Sequence, residues 1–159
     1  MAVEPGPLIF ALDQNLGRHM LGLLRQARIY PDERLTSLAE LGFAGDKPDE
    51  DWMPELGKLG SYVCVTRDGN ILNAAVRRDA WLSSGIGIIM LDKKWGHLPI
   101  SEWARRVLYW WPAMIHRAEG GPAGAAWTVP NRIDEPQEAN IRLITGEVPR
   151  EKSGGRIDQ

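Results

Sequence analysis

The acidic residues of this chain sit where carboxylates can be gathered for chemistry. Tyr62-Val63-Cys64-Val65-Thr66-Arg67-Asp68 is a mainly apolar and β-branched run that ends on an acid. Such a run reads as a buried strand. Leu8-Ile9-Phe10-Ala11-Leu12-Asp13 has the same design. Two parallel strands would bring Asp13 and Asp68 together at the carboxyl edge of a sheet, where open α/β folds hold ligands. Asp49-Glu50-Asp51-Trp52 opens a helix, and Asp92 ends another apolar run, Ile86 to Leu91. Clustered carboxylates repel and raise each other's pKa. A divalent cation between them relieves that repulsion, and Mg²⁺ and Mn²⁺ prefer oxygen ligands. A cation held this way suits phosphodiester cleavage, because it activates water and binds the phosphate. The bland alternative is that each Asp merely closes a strand or caps a helix.

The elements that position these acids alternate. Residues 8–12 read as a strand, and Asn15 can cap the helix after it. Leu16, Met20, Leu23, Leu24 and Ala27 fall at helical spacing. The run from Leu35 to Leu41 alternates as a second strand. Pro54 fits only the first turn of a helix, which favours Asp51 as the cap and leaves Asp49 in the approach loop. A helix follows Asp68 from Asn70 to Ser83. Ser101 caps a last helix whose stripe is Trp103, Val107, Leu108, Trp111, Met114 and Ile115. That stripe suits a core better than a platform for stacked bases. Alternating strands and helices argue a parallel α/β sheet covered on both faces.

The expected organisation is an N-terminal arm (1–6), one domain (7–118) and a C-terminal extension (119–159) with a disordered end. Trp127 to Val148 could hold a strand or bind a partner.

Composition narrows the function. The net charge is −2, so the chain as a whole is not a basic nucleic-acid binder. Five of the 19 basic and seven of the 21 acidic residues lie from Glu119 onward, so the first 118 are electrically balanced. Charge segregation can still serve nucleic-acid binding. Cys64 is alone, which excludes a disulfide framework and a cysteine-rich zinc site. It reads as a small buried hydrophobe. No apolar run is long enough to span a membrane, and no signal peptide opens the chain. A cytoplasmic location follows by default. No phosphate-binding glycine loop and no nucleophile elbow occurs. His19, His97 and His116 are scattered without metal-ligand spacing.

Leu12-Asp13-Gln14-Asn15-Leu16, Asp49-Glu50-Asp51-Trp52 and Val65-Thr66-Arg67-Asp68, in that order, resemble PIN-like ribonuclease domains. The likeness is to the compact domains related to VapC-type toxins, and it covers residues 7–118. It implies a three-layer α/β/α, Rossmann-like domain with a mainly parallel central sheet. It implies a metal-dependent endoribonuclease using Mg²⁺ or Mn²⁺, with Asp13 and Asp68 as metal ligands. Asp49, with Asp51 as the competing choice, supplies the third carboxylate. Thr66 orients one carboxylate, and Asn15 or Asn70 holds a metal-bound water. Arg67, Arg77, Arg78, Lys93 and Lys94 are candidate phosphate contacts. Many relatives are toxins blocked by a small antitoxin protein, and many pair into homodimers. RNA is then the substrate, and no membrane partner is implied. Two rivals remain: a PIN-like module that binds protein without catalysis, and another phosphohydrolase with an aspartyl nucleophile at Asp13.

Overall fold

Continuous, mainly apolar runs build a six-stranded sheet. Its strands are β1 (Ile9–Leu12), β2 (Leu35–Ser37), β3 (Tyr62–Thr66), β4 (Gly87–Leu91), β5 (Ala126–Val129) and β6 (Arg142–Ile144). They lie in the order β2-β1-β3-β4-β5-β6. β1 to β5 run parallel, and β6 pairs antiparallel with β5. The structure is a computed structural model that describes residues 7–16, 18–28, 30–43, 45, 47–68, 71–91, 98–130 and 141–144.

Side chains alternate across a strand, and each face is apolar. Phe10, Leu12, Val63, Val65, Ile89 and Leu91 pack with α1 (Arg18–Gln26) and α4 (Ile100–Gly120). Ala11, Cys64 and Ile88 pack on the other face with α2 (Asp49–Leu59) and α3 (Ala75–Ser84). The result is the expected three-layer α/β/α domain with a mainly parallel sheet. Trp103, Trp110 and Trp111 are buried against the first face. The aromatic stripe of α4 is therefore core, and these rings offer no surface to a base or to a second subunit.

Several boundaries differ from the sequence expectation. α2 begins at Asp49 with Pro48 as its cap, and Pro54 lies inside it. The N–H groups of Asp51 and Trp52 both donate to the Pro48 carbonyl oxygen, at 2.9 and 3.3 Å. Three acids in the first turn favour that start through the helix dipole. Burial of Trp52, Met53 and Leu56 fixes the phase of the helix. Pro54 is thus tolerated beyond the first turn, and Asp51 is not the cap.

β2 stops at Ser37, because the chain turns there to bury Leu38 and Phe43. A 3-10 turn at Gln14–Leu16 precedes α1, and Leu21 replaces Leu23 on its buried face. Ile71 and Leu72 are buried in a turn before α3, which starts only at Ala75. Ser101 lies in the first turn of α4, and the cap is Pro99. The sheet also continues past residue 118. β5 and β6 complete it, and Arg117 donates to the Ile141 carbonyl oxygen at 3.2 Å. The end expected to be disordered, 149–159, lies outside the described residues.

The approach of α2 to α3 depends on Gly57. A Cβ there would collide with the carbonyl oxygen of Ser84. Gly57→Ala is expected to cost about 1–3 kcal/mol by forcing the two helices apart. Urea unfolding measures this directly, and an unchanged midpoint would contradict the close approach.

Candidate active site

The chain leaves β1 for β2 on one side, while β3 lies on the other. That reversal opens a crevice at the carboxyl ends of β1 and β3, the usual ligand position in such sheets. Asp13 follows β1, and its N–H donates to the Val65 carbonyl oxygen at 2.9 Å. Asp68 follows β3 by two residues.

A single buried hydroxyl ties the two acids together. The Thr66 hydroxyl donates to Asp13 Oδ2 at 2.8 Å and accepts the Asp68 N–H at 3.0 Å. The proton direction is forced, since the carboxylate only accepts and the amide only donates. The other oxygen of Asp13, Oδ1, accepts the Gln14 N–H at 2.7 Å.

Burial pushes the Asp13 carboxyl above its ordinary value. The Thr66 and Gln14 hydrogen bonds oppose that rise, and the charges of Asp49 and Asp68 add to it. Asp49 is raised for the same first reason, burial. The Trp52 hydrogen bond and the Arg77 charge hold Asp49 down, while Asp68 and Glu50 push it up. Asp13, Asp49 and Asp68 therefore share one electrostatic environment.

α2 decides between its two candidate acids. Successive helical residues are turned by about 100°, so Asp49 and Asp51 cannot face the same way. Asp49 is 22 % exposed and interacts with the pair, whereas Asp51 is exposed to solvent. The buried indole of Trp52 donates to Asp49 Oδ1 at 2.9 Å. Trp52 was not singled out from the sequence for this role. Its separation of three residues on a helix was the available signal.

Among the described residues, the candidate cations are already engaged. Arg77 Nε lies 3.9 Å from Asp49 Oδ2 and 3.9 Å from Glu50 Oε1. The Arg67 guanidinium sits over the Trp103 ring, 5.2 Å from its centroid. Arg78 donates to the carbonyl oxygens of Leu72 and Asn73, both at 3.3 Å. Asn15 falls in the 3-10 turn after Asp13. Asn70, Asp92, Lys93, Lys94 and His97 lie outside the described residues. His19 and His116 are exposed. Cys64 is fully buried, and burial raises its thiol well above 9.0. It is packing, not a nucleophile.

Among the described residues, no three His, Cys, Asp or Glu side chains converge into a ready cation cage. The donor set still fits Mg²⁺ or Mn²⁺. Mg²⁺ keeps several waters and is commonly held by one or two carboxylates plus substrate phosphate. Asp13 and Asp68 offer those carboxylates, with Thr66 bonded to the carboxylate of the first and the backbone N–H of the second. The third acid, Asp49, has Trp52 on one oxygen and Arg77 beside the other.

A cavity of about 470 Å³ lies at the opposite edge of the sheet, where Leu8, Ser61, Gly87 and Trp127 help to line it. Among the described residues, Glu119 is its only acidic lining residue, so it is not the place for the chemistry argued above. No helix among the described residues is long and apolar enough to cross a membrane.

The family model described as PIN like domain matches residues 8–93. No curated protein and no solved structure matches the chain.

Proposed function

Because this chain belongs to the PIN-like domain family, a nuclease-type group, we propose that it is a metal-dependent endoribonuclease. The observation that carries the proposal is the Thr66 hydroxyl, which joins Asp13 to the backbone of Asp68 beside Asp49. A lone strand-end acid needs no such support. A bound Mg²⁺ or Mn²⁺ would supply water activation and charge neutralisation at the phosphate.

The chain's own residues then have separate tasks. Asp13 and Asp68 would hold the cation. Thr66 holds Asp13 in one orientation. Asp49, fixed at Oδ1 by Trp52, positions the attacking water through Oδ2. The water passes a proton to Asp49 Oδ2 as its oxygen bonds to phosphorus, and the phosphorus–oxygen bond to the sugar breaks, the leaving oxygen taking a proton from solvent. The RNA phosphate would supply further oxygen ligands beyond those two carboxylates.

The same arrangement suits a toxin held in check by an antitoxin. A half-exposed acidic crevice can be closed by a basic segment of a small partner protein.

Cleavage of end-labelled RNA by the purified chain tests the activity. Mn²⁺ should support it and a chelator should abolish it. Asp49→Asn should reduce the rate about tenfold or more, the range seen when support around a metal is lost. Asp51→Asn should stay within about twofold, as exposed substitutions usually do. Equal losses in both variants would contradict the assignment of Asp49. A folded chain that neither binds Mn²⁺ nor cleaves RNA would be the protein-binding module. A phosphoryl group trapped covalently on Asp13 would mean the phosphohydrolase chemistry.

A further inference from the structure

We infer that Arg77 is a placeholder cation whose displacement couples metal binding to phosphate binding. The inference rests on the proposed metal site and concerns how that site is kept when no metal is bound. Arg77 Nε is equidistant, at 3.9 Å, from Asp49 Oδ2 and Glu50 Oε1. Its charge lowers the pKa of Asp49, against the burial and the acids that raise it. The opposite oxygen of Asp49 is occupied by the Trp52 indole. Asp49 is thus restrained from both sides, and its free valence faces a guanidinium.

A divalent cation held by Asp13 and Asp68, beside Asp49, meets that positive charge. Like charges this close repel strongly in a partly buried site. Arg77 is 34 % exposed and carried on α3, so its side chain has room to leave. Once displaced, it stands at the rim of the crevice, where a phosphodiester offers acidic oxygens in place of Asp49. Arginine suits that partner because its planar donors match phosphate. Metal and phosphodiester therefore each help the other to bind, and linkage makes the effect reciprocal.

Arg78 is the internal control. It is the next residue on the same helix, but its guanidinium donates to backbone carbonyls. Arg78→Gln removes the same net charge without releasing Asp49.

The test is Mn²⁺ calorimetry on the full chain, with and without a short phosphorothioate oligonucleotide that resists cleavage. Arg77→Gln is expected to bind Mn²⁺ severalfold more tightly than the wild type, while Arg78→Gln matches the wild type. The oligonucleotide should strengthen Mn²⁺ binding severalfold in the wild type and hardly at all in Arg77→Gln. Unchanged or weaker Mn²⁺ binding by folded Arg77→Gln overturns the placeholder. So does an equal gain in Arg78→Gln, which would assign the effect to net charge. In both cases wild-type binding that is lost in Asp13→Asn keeps the metal site itself. No Mn²⁺ binding by any variant, with or without the oligonucleotide, overturns the metal site and the placeholder together.

Discussion

Asp13→Asn is expected to abolish detectable Mn²⁺ binding and to cut RNA cleavage at least about 100-fold. Loss of a partner that merely supports a metal ligand costs about 10–100-fold, and Asp13 is proposed as a ligand itself. The same substitution should make the metal-free protein more stable near neutral pH. The sign follows from burial. The native Asp13 carboxyl titrates above its ordinary value of 3.8, so ionising it is harder in the folded chain. Between those two values the native state holds more protons than the unfolded state, and stability falls as pH rises. Above the native value the full penalty persists. Below 3.8 both states are protonated and the penalty is gone. Asparagine carries no such penalty. The difference in Tm between variant and wild type should therefore be present at neutral pH and vanish in acid. A pH series of thermal unfolding, run with chelator, measures it. A variant less stable than the wild type at neutral pH would mean that Asp13 is a structural residue. Retained cleavage would remove it from the mechanism.

Thr66→Val should weaken Mn²⁺ binding and cleavage about 10–100-fold while keeping the shape of the side chain. Thr66 has no solvent exposure, so water cannot replace its hydroxyl. Valine leaves the Asp68 N–H without its acceptor and Asp13 Oδ2 without its donor. A buried polar group left unsatisfied costs about 1–3 kcal/mol. The loss also removes a contact that lowers the Asp13 pKa. The acid limit of Mn²⁺ binding should then move to higher pH. Thr66→Ser keeps the hydroxyl and should recover most of the affinity, which separates positioning from packing. If valine and serine behave alike, the hydroxyl has no role in holding the site.

The proposed metal ligands differ from their support in how they could be read. Asp13 and Asp68 end apolar runs, and a strand that ends in an acid must deliver it to the sheet edge. Residue order therefore sufficed to bring them forward as a pair. Thr66 emerged only through likeness to a family, because a buried threonine on a strand is common. Trp52 and Arg77 were harder. Trp52 reads as core, and it is core, but its indole N–H must still find an acceptor. Arg77 reads as a solvated cation until α3 is placed against α2.

The sequence by itself determined the layered α/β class, the two strand-end acids and the family. These follow from local periodicity and residue order, which persist without a partner element. Tertiary structure alone decided where α2 begins and which of its acids lies part-buried beside Asp13. Burial of Trp52, Met53 and Leu56 sets that helix's rotation, overriding the usual penalty of an interior Pro54. It also decided that β5 and β6 complete the sheet, because short strands are specified mainly by the neighbours they pair with. The Thr66 bridge and the Arg77 ion pair belong to the same class. Each joins groups far apart in the chain, at distances that only packing can set.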